Sequence, residues 1–304
     1  MDYSIYKLRF KGSVHFGNGS LSSSNNTFMA DTLFSSLCVE AIKSDSKKLE
    51  ELYGYVNDGQ LLFSDAFPYN ESDLFLPKPL LLNKVCNSKD KKKLKKLEYI
   101  PVRYFDEYLL NQGNYYDEIM RSYSKIGKYE SREMVQVKND DNAEPYYIGT
   151  YRFFSRSGLY LIVGCESIEA KECFDNLFSS LSYTGIGGKK TIGMGVFDYS
   201  VEHIDQILEL MLSRKRDYYM SLSVSMPKES DRGLVFDDAI YSLIRRSGFV
   251  FSDTYASNES RKKDFYSFAA GSCFKKIFDG DIYDVSDYGS HPVYRYAKPL
   301  LIGV

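Results

Sequence analysis

The stretch between residues 185 and 195 has the residue types of a phosphate-binding loop. It contains five glycines and two adjacent lysines, which are Gly185, Gly187, Gly188, Lys189, Lys190, Gly193 and Gly195. Glycine permits positive φ angles and lets a ligand approach the backbone closely. Backbone N–H groups exposed in such a loop form a concave surface that binds anions. The sequence therefore predicts a loop that holds phosphate groups, with a decorated helix-to-strand turn as the alternative.

Two familiar nucleotide-binding motifs do not fit this loop. Residue 183 is a tyrosine and Lys189 is followed by a second lysine, so the P-loop pattern fails at two positions. The dinucleotide-binding pattern requires a third glycine at position 190, which is Lys190. The loop also follows a predicted helix and precedes a predicted strand, which is the reverse order in both motifs. These failures exclude the two nucleotide-binding patterns and leave a loop that clamps phosphate groups with its backbone amides and lysines.

His15 is the residue with the strongest claim to catalysis. A histidine near its ordinary pKa can remove the proton of an RNA 2′-OH group in metal-independent cleavage. The other histidines, His203 and His291, are distant in sequence, and no charge-stabilising partner is identifiable. A histidine that hydrogen-bonds RNA or backbone is therefore the favoured interpretation. No His, Cys or carboxylate cluster has the spacing of a metal site, so a non-catalytic protein without metal or cofactor is expected.

Further basic residues could supply phosphate contacts elsewhere in the chain. Lys78 lies between two prolines that restrict the backbone, although an exposed strand edge explains it equally well. The other candidates precede turns or aromatic runs, or alternate with tyrosines, and are Arg245, Arg246, Lys262, Lys263 and Arg295. Basic residues beside aromatic ones suit backbone binding and base stacking. Alternation predicts that Arg295 faces away from Tyr294 and Tyr296, with one of the two sets in the core.

Composition limits the kind of RNA site the chain can carry. The 304 residues have a net charge of −2, so the basic excess of a free-standing nucleic-acid binder is missing and any RNA site must be local. The 27 Tyr and 20 Phe, with no Trp, supply the core and some stacking surface. Five widely spaced cysteines indicate buried thiols in a reducing compartment. With no apolar run near ~20 residues and no signal-like start, we expect a cytoplasmic protein.

The elements that position these residues predict an α+β fold with two ferredoxin-like (RRM-like, split βαβ) domains. The first spans residues 1–203, with a basic, partly helical insertion at about 83–141 and regular structure resuming near Tyr146. Its helices follow Ala30, where Asp31 could cap the first turn, and Ser167, a plausible cap for a helix that ends near 182. The second domain spans 217–304 and begins with alternating apolar residues and serines, which predict a half-buried strand at 220–226.

The order of several short motifs resembles that of a known family. They are Val14-His15-Phe16-Gly17 after the first strand, the helix at 30–37, the segments 65–68 and 76–80, the glycine-rich loop, and the stretches 246–249, 264–268 and 291–300. A loop of this kind near the end of a ferredoxin-like domain is typical of the RAMP superfamily of CRISPR RNA-binding proteins. Together the motifs resemble the family that supplies the fourth subunit of the Csm complex, the type III-A CRISPR effector.

The resemblance implies a function. The family binds the repeat-derived 5′ handle of CRISPR RNA (crRNA), beside the large polymerase and nuclease subunit and the backbone RAMP subunit, and it is not the ribonuclease. Segments matched in the family add His15, Phe16, Gly17 and Asp31 to the candidate RNA contacts. Two rival hypotheses stay open, a metal-independent repeat endoribonuclease that uses His15 and a structural adaptor whose loop touches only protein.

Overall fold

The computed structural model describes residues 1–81, 95–110, 115–137, 143–252, 254–256 and 258–304. The helices are α1 (Ala30–Ser44), α2 (Ser46–Asn57), α3 (Phe105–Leu110), α4 (Tyr116–Tyr123), α5 (Ile168–Thr184), α6 (Gln206–Ser213) and α7 (Arg232–Val235). The strands of the first half are β1 (Asp2–Phe10), β2 (Leu61–Phe63), β3 (Phe67–Tyr69), β4 (Phe75–Pro77), β5 (Tyr99–Pro101), β6 (Gly127–Val137), β7 (Ala143–Phe153), β8 (Gly158–Cys165) and β9 (Phe197–His203). Those of the second half are β10 (Tyr219–Ser221), β11 (Leu243–Arg246), β12 (Phe265–Phe268), β13 (Cys273–Phe274), β14 (Asp281–Asp284), β15 (Tyr294–Ala297) and β16 (Leu301–Gly303).

The central sheet is antiparallel and has the strand order β2-β8-β1-β9, with β3 also paired to β8. In β1, Tyr6, Leu8 and Phe10 are buried while Arg9 is exposed. The strand β8 is buried at every position. Side chains of a strand alternate between faces, so this burial requires cover on both sides of the sheet.

Each face of the sheet has its own hydrophobic core. Helices α1, α2 and α5 pack on one face around Leu8, Leu161 and Phe178. On the other face, Tyr160 and Ile162 pack with α6 and with strands β10 and β16. The segment 203–217 was predicted to separate two domains, and α6 within it lies in this second core. The two halves of the chain thus bury apolar surface against each other.

The C-terminal half is built from short strand pairs. They form a three-stranded sheet in the order β13-β10-β16 and the two-stranded pairs β11-β12 and β14-β15. The half-buried strand predicted at 220–226 was wrong in two respects, since β10 ends at Ser221 and the serines are as buried as the apolar residues. Buried hydroxyls require partners, and Ser221 and Ser223 donate to the carbonyls of Ser223 and Lys298 at 2.7 and 2.8 Å.

The region predicted as a basic insertion contains β5, which pairs with the preceding β4, together with α3, α4 and the first strand of a long hairpin. Strands β6 and β7 pair over eleven residues each, so regular structure resumes at Gly127, earlier than the predicted Tyr146. Of the lysine run at 89–96, Lys95 and Lys96 are exposed, and the remainder lies outside the described residues.

Among the described residues, no helix has the length and apolarity needed to cross a membrane. The cysteines that the structure describes are all free thiols.

Candidate RNA interface

The glycine-rich loop begins where α5 ends, as the sequence predicted. The Ser167 hydroxyl accepts a hydrogen bond from the Ala170 amide at 3.1 Å and caps the helix. Gly185, with φ +81°, ends it. The amide of Ile186 then donates to the Gly195 carbonyl at 3.0 Å, so the two ends of the loop are joined. Ile186 is fully buried and Met194 nearly so. The loop is therefore closed at its base and anchored in the core.

Four of the five glycines are required by close contact within the chain, and at Gly185 a Cβ atom would lie 2.9 Å from the Met194 carbonyl oxygen. A Cβ atom at Gly195 would lie 2.1 Å from the Ile186 carbonyl oxygen. At Gly187 it would lie 2.8 Å from the His15 carbonyl oxygen, and at Gly188 2.8 Å from the His15 ring. The sequence interpretation assigned the glycines to positive φ angles and ligand approach. In the structure, Gly187 and Gly188 let the loop dock on the segment after β1, and Gly185 and Gly195 let the two ends of the loop pack together. Gly193, with φ +80° and open space around it, serves the turn itself.

The tip of the loop presents backbone donors that have no acceptor among the described residues. Lys189 has left-handed backbone angles, φ 58° and ψ 31°, and is followed by a 3₁₀ turn over Lys190–Ile192. Within the described part of the chain, nothing accepts a hydrogen bond from the consecutive amides of Lys189, Lys190 and Thr191. Successive N–H groups in a turn that combines left- and right-handed residues form an anion-binding concavity.

The two loop lysines lie over aromatic rings. The Lys189 Nζ atom is 5.3 Å from the ring centre of Tyr146, and the Lys190 Nζ atom is 5.5 Å from that of Phe251. Neither lysine forms an ion pair with a described residue. Burial and the nearby charge of Lys43 lower the pKa of Lys190. The Glu40 carboxylate acts in the opposite direction, but the net effect is a lowered pKa, so an anionic ligand would stabilise the Lys190 cation. Sequence reasoning missed Tyr146 and Phe251, because no motif links them to the loop.

His15 joins the loop to the β6-β7 hairpin. Its side chain is 7% exposed, and its Nδ1 atom lies 2.7 Å from the Gly149 carbonyl oxygen in β7. Its backbone carbonyl accepts a hydrogen bond from the Gly188 amide at 2.9 Å. Phe16 is buried among aromatic rings, and Gly17 is exposed.

The other histidines lie in different places. His203 is at the end of β9, paired with Ser4, and the His291 Nε2 atom lies 2.9 Å from the Ser252 hydroxyl. The structure therefore does not bring either of them to His15, and a two-histidine site is not formed.

Three predicted RNA contacts form a buried ion cluster instead. The Asp31 carboxylate accepts two hydrogen bonds of 2.8 Å from Arg246 and is paired with Arg295. Burial alone would raise the pKa of Asp31, but the two guanidinium groups outweigh it and hold the pKa below its usual value. Asp31 does not cap α1 either, because Met29 is the N-cap residue and the Asp65 carboxylate accepts from the Ala30 amide at 2.8 Å.

The predicted alternation around Arg295 was also wrong. Arg295 and Tyr296 are both buried, because each side of β15 is covered. Lys298, on the same predicted run, is fully buried and its Nζ atom lies 3.0 Å from the Asp279 carboxylate. The cluster of Asp31, Arg246 and Arg295 links α1 to the strands β11 and β15 of the C-terminal half.

The remaining basic candidates are scattered. Arg245 forms an exposed ion pair of 2.8 Å with Asp264, and the Lys78 ammonium group donates to the Lys95 carbonyl at 3.1 Å. The Lys262 ammonium group lies 3.3 Å from the Ser35 hydroxyl, and burial lowers its pKa to about 8. Lys263 is exposed. None of the four lines the loop, so they do not extend its surface. In the described ranges, no three His, Cys, Asp or Glu residues are placed to hold a metal ion.

The fold is shared with subunits of CRISPR interference complexes. A crystal structure of a Csm3–Csm4 subcomplex of the type III-A CRISPR-Cas interference complex superimposes with a TM-score of 0.70 at 18% identity, covering 100% of this chain and 99% of that one. A Csm1–Csm4 cassette with cA4 gives a TM-score of 0.61 at 20% identity, covering 100% and 98%.

Sequence comparison defines the family. A Csm4 protein of Streptococcus thermophilus is 36% identical over 313 residues, covering 99% of this chain and 98% of the relative. A Csm4 protein of Mycobacterium tuberculosis is 35% identical over 294 residues, covering 96% and 94%. The CRISPR Csm4 C-terminal domain family matches residues 214–304. The chain belongs to the Csm4 family, which confirms the resemblance noted from its sequence.

Proposed function

We propose that this chain is a non-catalytic RNA-binding scaffold of a type III-A Csm complex and holds the 5′ handle of crRNA. One observation carries the proposal, namely the three consecutive unpaired amides of residues 189–191 beside two lysines that have no ion-pair partner among the described residues. Amides of this kind recognise phosphate oxygens, and the lysines add attraction without reading sequence.

The proposed partners are the large polymerase and nuclease subunit and the backbone RAMP subunit. Relatives named Csm4 have been crystallised in a Csm3–Csm4 subcomplex and a Csm1–Csm4 cassette. The net charge of −2 suits a subunit whose RNA affinity is shared with an assembly in the cytoplasm. The strand order β2-β8-β1-β9 supports the ferredoxin-like interpretation of the first half. In the second half, the four-residue α7 is the one α-helix among the described residues from 217 onward, so a second such unit has less support.

The His15 endoribonuclease hypothesis fits the geometry less well. A general base must reach the 2′-OH proton, and His15 is buried with Nδ1 bound to a backbone carbonyl. No second histidine in the described residues approaches it to act as the acid. The contacts on both sides of His15 indicate a residue that fixes the loop against the hairpin.

The test compares guide retention by two double variants in the assembled complex, and each variant replaces two lysines that are adjacent in sequence. In Lys189→Ala/Lys190→Ala, guide retention should weaken and become less dependent on salt concentration. Each phosphate contact on a single strand contributes a slope of ~0.7 in log K against log salt, so two lost contacts lower the slope by about 1.4. The control, Lys47→Ala/Lys48→Ala, removes the same charge from the surface of α2 and should leave retention unchanged.

Two results would contradict the scaffold proposal. Specific metal-independent cleavage of repeat RNA that disappears in His15→Ala would establish the nuclease. If photocrosslinking of the assembled complex gives protein adducts but no RNA adduct at residues 185–195, the loop is a protein-only adaptor.

A further inference from the structure

A cavity of about 320 Å³ lies where β5, α4 and the start of the β6-β7 hairpin meet. Four tyrosines line it, which are Tyr99, Tyr123, Tyr129 and Tyr151. Its volume lies at the lower end of the roughly 300–1,000 Å³ typical of small-ligand sites. No residue of the glycine-rich loop is part of its lining. The cavity is therefore a separate site from the proposed phosphate clamp.

The tyrosines form two ring pairs. The rings of Tyr99 and Tyr123 are stacked, with centres 5.9 Å apart and an interplanar angle of 15°. Those of Tyr129 and Tyr151 meet edge to face at 4.8 Å and 73°. Tyr151 is buried, whereas Tyr129 is 63% exposed. A Cβ atom at Gly127 would lie 2.7 Å from the Tyr151 ring, so glycine leaves space for that ring. The exposed ring of Tyr129 offers a flat surface at the cavity entrance.

Polar groups accompany the rings. The buried Asn26 side chain donates to the Tyr123 hydroxyl at 2.9 Å, and the exposed Glu98 lines the cavity. Burial raises the pKa of Tyr151 to about 12 and also raises that of Tyr99, so these phenols stay protonated at neutral pH. Aromatic rings next to phenol donors and a carboxylate acceptor match a nucleobase, which has two flat faces and a hydrogen-bonding edge.

The segment of His15 and Phe16 connects the glycine-rich loop to a residue next to the cavity lining, because it forms backbone hydrogen bonds on both sides. The Gly188 amide bonds to the His15 carbonyl, and the amide of Asn25 donates to the Phe16 carbonyl at 2.8 Å. Asn26, the next residue, lines the cavity. Paired backbone segments lie about 4.8 Å apart, so the backbones of Gly188 and Asn25 are separated by ~10 Å. A single RNA strand covers that distance in about three nucleotides at a stacked spacing of ~3.4 Å.

We propose that the tyrosine cavity receives one unstacked nucleobase of the RNA whose backbone lies on the glycine-rich loop. This inference rests on the proposed function, because it requires RNA at residues 185–195. The base stacks on Tyr129 and turns its edge toward Glu98. A carboxylate accepts hydrogen bonds and cannot donate them, so Glu98 meets a donor on the edge of the base, either an exocyclic amine or a ring N–H group.

The experiment places 2-aminopurine at each handle position of guide RNA in the assembled complex. Stacking should quench one position, about three nucleotides from the one that crosslinks to the loop. In Tyr129→Ala the fluorescence of that position should return and guide affinity should fall about fivefold or more, the range for losing one stacked base. Tyr129→Phe should behave as the unchanged protein. Tyr147→Ala removes another exposed hairpin tyrosine, 57% exposed and outside the cavity lining, and should have no effect.

The outcomes separate this inference from the function on which it rests. If Lys189→Ala/Lys190→Ala releases RNA while Tyr129→Ala changes neither fluorescence nor affinity, the base site is refuted and the clamp stands. If neither set of variants affects RNA, both fail. If Tyr129→Ala releases a neighbouring subunit while the RNA signal is intact, the cavity holds a protein side chain and the inference is overturned. Because Tyr129 is exposed, its replacement leaves the fold in place for these measurements.

Discussion

Replacing Asp31 with asparagine should destabilise the protein strongly, because two buried cations would lose their counter-charge. The Asp31 side chain is 2% exposed, and those of Arg246 and Arg295 are 21% and 6% exposed. Arg246 donates one hydrogen bond of 2.8 Å to each carboxylate oxygen of Asp31. Removing one member of a buried ion pair costs about 3–5 kcal/mol, much of it from the charge left unpaired. Urea unfolding of the purified chain, monitored by circular dichroism, measures the loss.

A matched control exists one residue away in the same strand. Arg245 pairs with Asp264 at 2.8 Å, but the two side chains are 57% and 46% exposed. Asp264→Asn removes the same charge and should cost only about 0–1 kcal/mol. A triple variant, Asp31→Leu with both partner arginines changed to methionine, should recover most of the stability. Equal costs for Asp31→Asn and Asp264→Asn would refute the reasoning.

The pH dependence of the Asp31 effect has a definite sign. Because the folded state holds the pKa of Asp31 below its usual value, its contribution is fully present above the unfolded pKa of ~3.9. It is lost as pH falls through the lower folded pKa. The stability difference between the unchanged protein and Asp31→Asn should therefore shrink in acid, as the pH falls below the unfolded pKa of ~3.9.

Two further predictions concern the neighbouring carboxyl group and the loop. Burial raises the pKa of Asp65 to about 7, so protonation stabilises the fold and stability is lost as pH rises from the unfolded value of ~3.9 through 7. Asp65→Asn, which keeps an acceptor for its two amide donors, should flatten urea-unfolding stability between pH 5 and 8; an unchanged slope contradicts the assignment. Gly195→Ala should weaken RNA retention far more than Gly193→Ala. A methyl group at position 195 would lie 2.1 Å from the Ile186 carbonyl oxygen, whereas a methyl group at position 193 would meet open space. Both glycines have positive φ angles, so the two substitutions are matched in backbone strain. Equal RNA retention by the two variants would show that closure of the loop does not contribute to RNA binding.

Local features of the fold were predictable from the sequence because neighbouring residues determine them. The Ser167 cap of α5 and the end of that helix, predicted near 182 and observed at Thr184, both depend on contacts within a few residues. The boundaries of the glycine-rich loop followed from those of α5 and β9. The amides and lysines at its tip were expected from composition, and the structure places them together.

The features that sequence reasoning missed depend on long-range contacts. Arg295 and Asp31 are separated by 264 positions, and nothing near either residue indicates the other. An alternating pattern predicts one exposed face, but β15 and the serine segment are covered on both sides by the shared cores. A charged or hydroxyl side chain enters such a core when a partner satisfies it, and that partner is set by tertiary structure. The tyrosine cavity likewise draws its lining from four separate segments.

These long-range contacts give the proposed clamp its shape before any ligand arrives. The loop is closed on itself at Ile186 and Gly195, and it docks on His15, which is bound in turn to the hairpin at Gly149. The positions of the three unpaired amides at its tip are therefore set by protein contacts alone. A binding surface fixed in advance loses less conformational entropy when its ligand binds. In the proposed clamp, the glycines thus contribute chiefly by letting the chain pack against itself, while the lysines and amides are the groups proposed to contact phosphates.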